Sequence, residues 1–254
     1  MTDFMQKVYS FKVPEGTVAV FWLGQAGFLF KTASGQLIGL DVYLSDCCNR
    51  YFGFKRLMPR LVEPGELSLD ILIASHAHYD HFDVDSVPTL LSNANTVFLT
   101  ALDGKAECER LNLPENQIHY LKRGDVYKND DLTVEALACD HGELAPEALG
   151  LLITFGEKRV YFTGDTAFRA DIFQNKKLKN IDLMIAPING EFGNMNEKEC
   201  AEAAAIVRPK CILPCHFWNF AEHGGDPGKF QSSMKNISPD IPYLLIPMGS
   251  MTII

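Results

Sequence analysis

Positive charge is scarce in this chain: 23 lysines and arginines stand against 32 aspartates and glutamates, a formal net charge of −9. A protein that grips a phosphodiester backbone needs clustered cations, so nucleic acid is not an expected partner. A small anionic substrate stays compatible, because a local cationic site can sit on an acidic protein. Long apolar runs are missing as well. No stretch reaches the ~18 uninterrupted apolar residues of a membrane-spanning helix, and the opening MTDFMQKVYSFKV lacks the apolar run of a secretory signal. No membrane partner is expected, and the cytoplasm is the expected location. The seven cysteines are odd in number and follow no small-scaffold spacing, which suits thiols kept reduced. Cys211 and Cys215 have the wrong spacing for a zinc ribbon and lack a second pair, so they read as small apolar residues on a buried strand. Linkers, low-complexity segments and solenoid repeats are absent too.

What is present suits an α/β fold. With 47% hydrophobic and 22% charged residues, a chain of this size buries a core without staples, and one domain over residues 1–254 is expected. Alternating or apolar runs between turn residues predict strands at 17–22, 27–32, 37–42, 71–74, 96–100, 118–121, 131–138, 149–155, 159–163, 185–188, 211–214, 243–246 and 251–254. Helical patterns fall at 83–92, 103–111 and 196–207. The last opens with Asn196-Glu197-Lys198-Glu199, which has the form of a capping box. Many strands with helices between them, in two similar halves, suggest two sheets packed together with helices outside.

The chemistry concentrates in Ser75-His76-Ala77-His78-Tyr79-Asp80-His81, directly after a predicted strand. Imidazole nitrogen and carboxylate oxygen are favoured ligands of zinc and its neighbours, and a turn leaving a strand can aim alternate side chains into one cavity. A lone histidine is usually a surface or satisfied core residue. Several imidazoles packed beside a carboxylate with no cation would be poorly paired. Further ligands must come from elsewhere, and three later segments can supply them: Cys139-Asp140-His141, Gly164-Asp165 and Pro214-Cys215-His216, each at the end of a predicted strand. Alone, Asp165 could instead be a helix N-cap. A ligand at the end of each successive strand is what a site along one sheet edge requires.

This order of ligands, His-X-His-X-Asp-His, then His, Gly-Asp and His, resembles the metallo-β-lactamase superfamily over almost the whole chain. The resemblance implies a four-layer αββα sandwich and two divalent cations, zinc or manganese foremost, with iron as a third option. It places His76, His78 and His141 on one cation, Asp80, His81 and His216 on the other, and Asp165 between them. Asp41 matches the family's early aspartate, which supports the site. Within the superfamily, Trp22-Leu23-Gly24-Gln25-Ala26-Gly27-Phe28, Asn189-Gly190-Glu191 and Ile212-Leu213-Pro214-Cys215-His216 resemble the L-ascorbate-6-phosphate lactonase group, whereas the surroundings of His141 resemble other metal-dependent hydrolases and a phospholipase D-like branch.

The implied reaction is hydrolysis by a hydroxide shared between the two cations, with Asp80 and Asp165 as the catalytic carboxylates. A phosphorylated sugar lactone is the expected substrate. A phosphodiesterase of the same fold and a non-catalytic metal-binding sensor are the alternatives. A phosphate would need donors, and Lys55, Arg56, Arg60 and Arg169 are candidates, although each taken singly reads first as a solvated surface cation. Asn189 and Glu191 lie on a glycine-rich loop that could reach the site. His223 is a further candidate substrate contact, though a surface position suits it better. His119 is assigned no role. Self-association into a homo-oligomer stays open.

Overall fold

The computed structural model describes residues 1–254. Thirteen strands form two mixed sheets. In the first sheet β1 (Val18–Gly24), β2 (Gly27–Thr32) and β3 (Leu37–Leu40) form an antiparallel meander. β4 (Ile71–Ala74), β5 (Val97–Ala101) and β6 (Ile118–Leu121) then continue in parallel, and β13 (Met251–Ile253) closes the other edge against β1. The second sheet repeats the scheme. β7 (Val126–Lys128), β8 (Thr133–Ala138), β9 (Leu149–Phe155) and β10 (Lys158–Phe162) are antiparallel, and β11 (Leu183–Pro187) and β12 (Ile212–Cys215) follow in parallel.

The two-residue period of a strand explains the layering. Along β1, Val18, Val20 and Trp22 join the cluster shared with the second sheet. The intervening Ala19, Phe21 and Leu23 join a second cluster on the opposite face. That second cluster takes in α1 (Asp3–Ser10) through Met5 and Val8, α2 (Cys47–Phe52) through Cys47 and Cys48, α3 (Val87–Leu90) through Val87 and Leu90, and α4 (Lys105–Arg110) through Cys108. On the far side of the second sheet lie α5 (Ala170–Phe173), α6 (Glu197–Val207) and α7 (Pro227–Ile237), whose Phe173, Ala201, Ala204, Phe230 and Met234 extend the first cluster. The result is helix, sheet, sheet, helix, as expected. No helix is long and apolar enough to cross a membrane.

Caps set the ends of these helices. Asn196 accepts from the backbone of Lys198 and Glu199 while Glu199 accepts from the backbone of Asn196, the reciprocal box read from the sequence. The expected helix at 83–92 is reduced to Val87–Leu90. The Asp83 carboxylate accepts from the backbone of Leu44 and Ser45 and the hydroxyls of Ser45 and Ser86 as well as from the backbone of Asp85 and Ser86, which ties this turn to the loop after β3. The expected strand at 243–246 is a single bridge from Tyr243 to Ile212. Proline flanks it at 242 and 247, and a proline has no N–H to extend a ladder. Cys215 is buried on β12, whereas Cys211, just before the strand, is half-buried.

Candidate metal centre and its cleft

All the candidate ligands follow the C-terminal ends of strands: His76, His78, Asp80 and His81 after β4, His141 after β8, Asp165 after β10, and His216 after β12. One hydrogen bond, from the Leu149 backbone N–H to the Ser75 carbonyl at 3.1 Å, joins the two sheets at this edge. The loop after β4 is tight, with the backbone N–H groups of His81 and Phe82 both donating to the His78 carbonyl. Gly164 turns the chain toward Asp165 at φ 66°, and a β-carbon there would sit 2.4 Å from the Leu149 carbonyl oxygen, so only glycine fits. His216 adopts φ 63° and is held by its own N–H donating to the Gln25 carbonyl.

Two groups of donor atoms result. His76 Nε2 lies 2.9 Å from His78 Nδ1, which lies 3.2 Å from His141 Nε2. In the other group, His81 Nε2 and His216 Nε2 are 3.2 Å apart, and Asp80 Oδ2 lies 3.5 Å and 3.3 Å from them. Asp165 Oδ2 stands between the groups, 3.1 Å from His216 Nε2, 3.4 Å from His81 Nε2 and 3.8 Å from His141 Nε2. A tetrahedral ion with ligands at ~2.0–2.1 Å spaces them by roughly 3.3 Å, so the separations suit common coordination.

Hydrogen bonds fix the tautomers. The Ser75 hydroxyl donates to Asp41 Oδ2 at 2.6 Å, so at 3.0 Å it can only accept from His76 Nδ1, which leaves His76 Nε2 bare. His78 Nε2 donates to the Leu144 carbonyl at 3.2 Å, leaving Nδ1 bare. His81 Nδ1 donates to Asp41 Oδ2 at 2.6 Å, leaving Nε2 as the atom that faces the site. Asp41 is wholly buried and thus orients His81 directly and His76 through Ser75.

Electrostatics follow from burial and crowding. Burial opposes charge on Asp165, but His216 and His81 outweigh it and hold the carboxyl well below its ordinary range. Asp80 is likewise held down against burial by His81 and His216. Burial works against the charged form of His216, yet Asp165 and Asp80 carry its pKa up to about 9, and His81 is raised by Asp165, Asp80 and Asp41. Burial wins at His76 and at His141, the latter lowered to about 4.

Over the donors opens a cleft of about 590 Å³. Its walls include Phe52, Phe54, Phe192, Phe220 and Leu144, and neither lysine nor arginine is among its lining residues. Of the expected substrate contacts, His223 alone is among the lining residues. Arg56 turns away, its guanidinium donating to the carbonyls of Tyr43 and Ser45 and lying 4.1 Å from the Tyr43 ring centroid. Arg60 pairs with Asp46 and Glu63, and Arg169 with Asp140 and Asp171, while Lys55 is exposed outside the cleft. Asn189 is buried with its amide donating to the Glu191 carbonyl, and Glu191 is exposed off the cleft wall. The loop acts through other residues: Phe192 lines the cleft, and Asn194 donates to Asp165 Oδ2 at 2.8 Å.

His223 is not a surface residue. It lines the cleft with its ring stacked 4.8 Å from that of His216, and burial lowers its pKa to about 4. Gln25 joins the two. It adopts φ 49°, and its amide nitrogen lies 2.8 Å from Asp80 Oδ2 and 3.0 Å from His223 Nδ1. Its place in the turn after β1, between two glycines, was the available sequence signal. His119 sits on exposed strand surface beside Tyr127, remote from the cleft lining.

Residues 19–216 match the family model described as the beta-lactamase superfamily domain. A UPF0173 metal-dependent hydrolase of Anaeromyxobacter sp. (strain K) is 27% identical over 243 residues, covering 88% of this chain and 83% of that protein. Among solved structures, Igni18, a metallo hydrolase of Ignicoccus hospitalis, superposes with a TM-score of 0.73 at 19% identity, over 94% of this chain and 98% of that one. An isothiocyanate hydrolase from Delia radicum gut bacteria gives a TM-score of 0.71 at 18% identity, over 92% and 98%. At these identities the structural likeness establishes the fold.

Proposed function

The chain belongs to the beta-lactamase superfamily, and on that premise we propose that it is a metal-dependent hydrolase of a small molecule, cleaving a lactone or ester bond. His76, His78 and His141 would hold one divalent cation and Asp80, His81 and His216 a second, with Asp165 bridging them. The observation that carries this reading is the pair of bare nitrogens at the site. His76 Nε2 and His78 Nδ1 point lone pairs at each other across 2.9 Å with no hydrogen to share. Such an arrangement is repulsive alone and becomes favourable around a cation. Zinc and manganese suit the mixed imidazole and carboxylate donors, and iron is compatible with them.

Bound there, a pair of divalent cations would supply Lewis acidity that lowers the pKa of water toward ~7 and polarises a carbonyl. The protein's own groups do the rest. Asp80 lines the cleft with Oδ2 fixed by the Gln25 amide, placing a carboxylate to accept the proton of the attacking water. Gln25 also donates to His223 Nδ1, so the His223 hydrogen resides on Nε2, where it can meet the leaving oxygen. The oxygen of water adds to the acyl carbon, the bond to the alkoxide oxygen breaks, and the proton passes to that oxygen.

The test pairs elemental analysis with turnover of lactones and aryl esters before chelation, after chelation and after return of metal. About two equivalents of divalent metal, with hydrolysis lost and restored together, is the expected result. Turnover of bis(p-nitrophenyl) phosphate but of no lactone or ester would move the reaction to phosphodiesters. A protein that takes up no metal would refute the centre itself.

A further inference from the structure

We infer that the cleft selects an uncharged substrate bearing an apolar, planar group, and that Phe192, with Phe52 and Phe54, recognises that group. The inference rests on the reading above in taking the space over the cation ligands as the substrate site. Its first support is the wall. Phe54 packs 5.7 Å from Phe192, 5.9 Å from Phe220 and 6.4 Å from Phe52, ring centre to ring centre, a continuous aromatic surface running outward from His223. At the rim Phe52, Leu144 and Phe192 stay largely exposed. Clustered apolar side chains left open to water at the mouth of a concave site mark a place where apolar surface is to be covered.

The second support is the charge. The formal charges lining the cleft are the carboxylates of Asp80 and Asp165, both at its floor among the histidines. A phosphate or carboxylate carried on the outer part of a substrate would lie among rings with neither lysine nor arginine lining the cleft. An ion stripped of water without a partner is strongly disfavoured. Arg56 cannot swing in without abandoning two carbonyls and the Tyr43 face.

The third support is backbone strain. Phe192 has φ 53° between Gly190 and Gly193, which adopt φ 67° and 81°. Glycine or asparagine would sit there without penalty, whereas a bulky aromatic residue in the left-handed region is an outlier. Strain of this kind persists where the side chain is needed in place, and here it holds the ring over the cleft opposite Phe54.

The test measures binding, so it reads out separately from turnover. Two ketones that cannot be hydrolysed are titrated calorimetrically into the cation-loaded protein: neutral, aromatic 4-phenylbutan-2-one, and levulinate, whose outer end is a carboxylate. The aromatic ketone is expected to bind roughly tenfold more tightly or better, and Phe192→Ala to weaken it by roughly tenfold, the loss of about half the burial of an aromatic group. Because Phe192 is a half-exposed loop residue, that variant should fold normally. Phe192→Arg should reverse the preference toward levulinate. Levulinate binding as tightly as the aromatic ketone, or aromatic-ketone affinity unmoved by Phe192→Ala, overturns the inference. A protein that binds the aromatic ketone through Phe192 yet hydrolyses no ester or lactone supports this recognition and refutes the lactone and ester reading instead.

Discussion

Asp41→Asn isolates the orienting shell from the donors themselves. The carboxylate is fully buried and accepts three hydrogen bonds: from the Ser75 backbone N–H at 2.7 Å, the Ser75 hydroxyl at 2.6 Å and His81 Nδ1 at 2.6 Å. Asparagine keeps the shape, removes the charge and turns one acceptor into a donor. Whichever way the amide faces, its NH2 must oppose either the Ser75 N–H or the groups gathered on Oδ2. A hydrogen bond to a charged partner is worth about 1.5–3 kcal/mol against ~1 for a neutral one, so His81 loses about 1–2 kcal/mol of orientation. Expressed in affinity, the cation at His81, Asp80 and His216 should bind roughly 5–30-fold more weakly. The cation at His76, His78 and His141 should change less, because the Ser75 hydroxyl stands between Asp41 and His76. Competition against a chromophoric chelator, with native mass spectrometry for stoichiometry, reads both effects. Two unchanged affinities in a folded Asp41→Asn protein would show that Asp41 does not orient the site and would refute the reasoning.

Uptake of metal at pH 7.5 should release protons, because His216, with its pKa raised to about 9, carries one in the metal-free protein and a ligand nitrogen cannot. Affinity should therefore fall as pH drops below about 9, by roughly tenfold per unit for each displaced proton; calorimetry in buffers of different ionisation enthalpy measures the release, and no buffer dependence would contradict it. Gly164→Ala places a β-carbon 2.4 Å from a backbone carbonyl at φ 66°, and should destabilise by roughly 2–4 kcal/mol in urea unfolding. A loss near zero would mean that the Asp165 turn is looser than the geometry shows. Tyr161 is wholly buried and its hydroxyl has no partner. Tyr161→Phe should leave stability unchanged or raise it by about 1 kcal/mol, about 2–4 °C in Tm, and a clear loss would reveal a partner for the hydroxyl.

The strands were legible because their signal is local. Apolar runs such as Ile71–Ala74 and Leu149–Phe155 are buried but for the half-buried Thr154 and need no tertiary context to be read. Helix limits depended on what the capping side chains did. Asn196 opened a helix as read, whereas Asp83 divides its oxygens between a distant loop and its own turn, and the helix runs only from Val87 to Leu90. α7 was missed although Asp226 followed by Pro227 is an N-cap and first-turn pair, because only Phe230 and Met234 of its apolar face are buried. α1 was missed for a similar reason: its stripe is Met5 and Val8, and its C-terminal carbonyls are held by Lys31, a residue 20 positions or more along the chain.

The centre and the cleft differ in legibility for the same physical reason. A metal centre needs particular donor atoms, so histidine and aspartate stand out of the sequence wherever they are used, and His76, His78, Asp80, His81, His141, Asp165 and His216 meet at one edge. Recognition of an apolar group needs only surface, and the residues that supply it look like core. Phe54, Phe192 and Phe220 carry no mark that separates them from Phe82 or Phe98, which pack inside. Cations err in the other direction: Arg56 and Arg169 advertise a phosphate site until their partners are seen, and those partners are this chain's own carbonyls and carboxylates. What finally separates the aromatic wall from the core is exposure at Phe52 and Phe192 together with the strained backbone at Phe192. Both are properties of the folded chain, and neither can be read from the order of the residues.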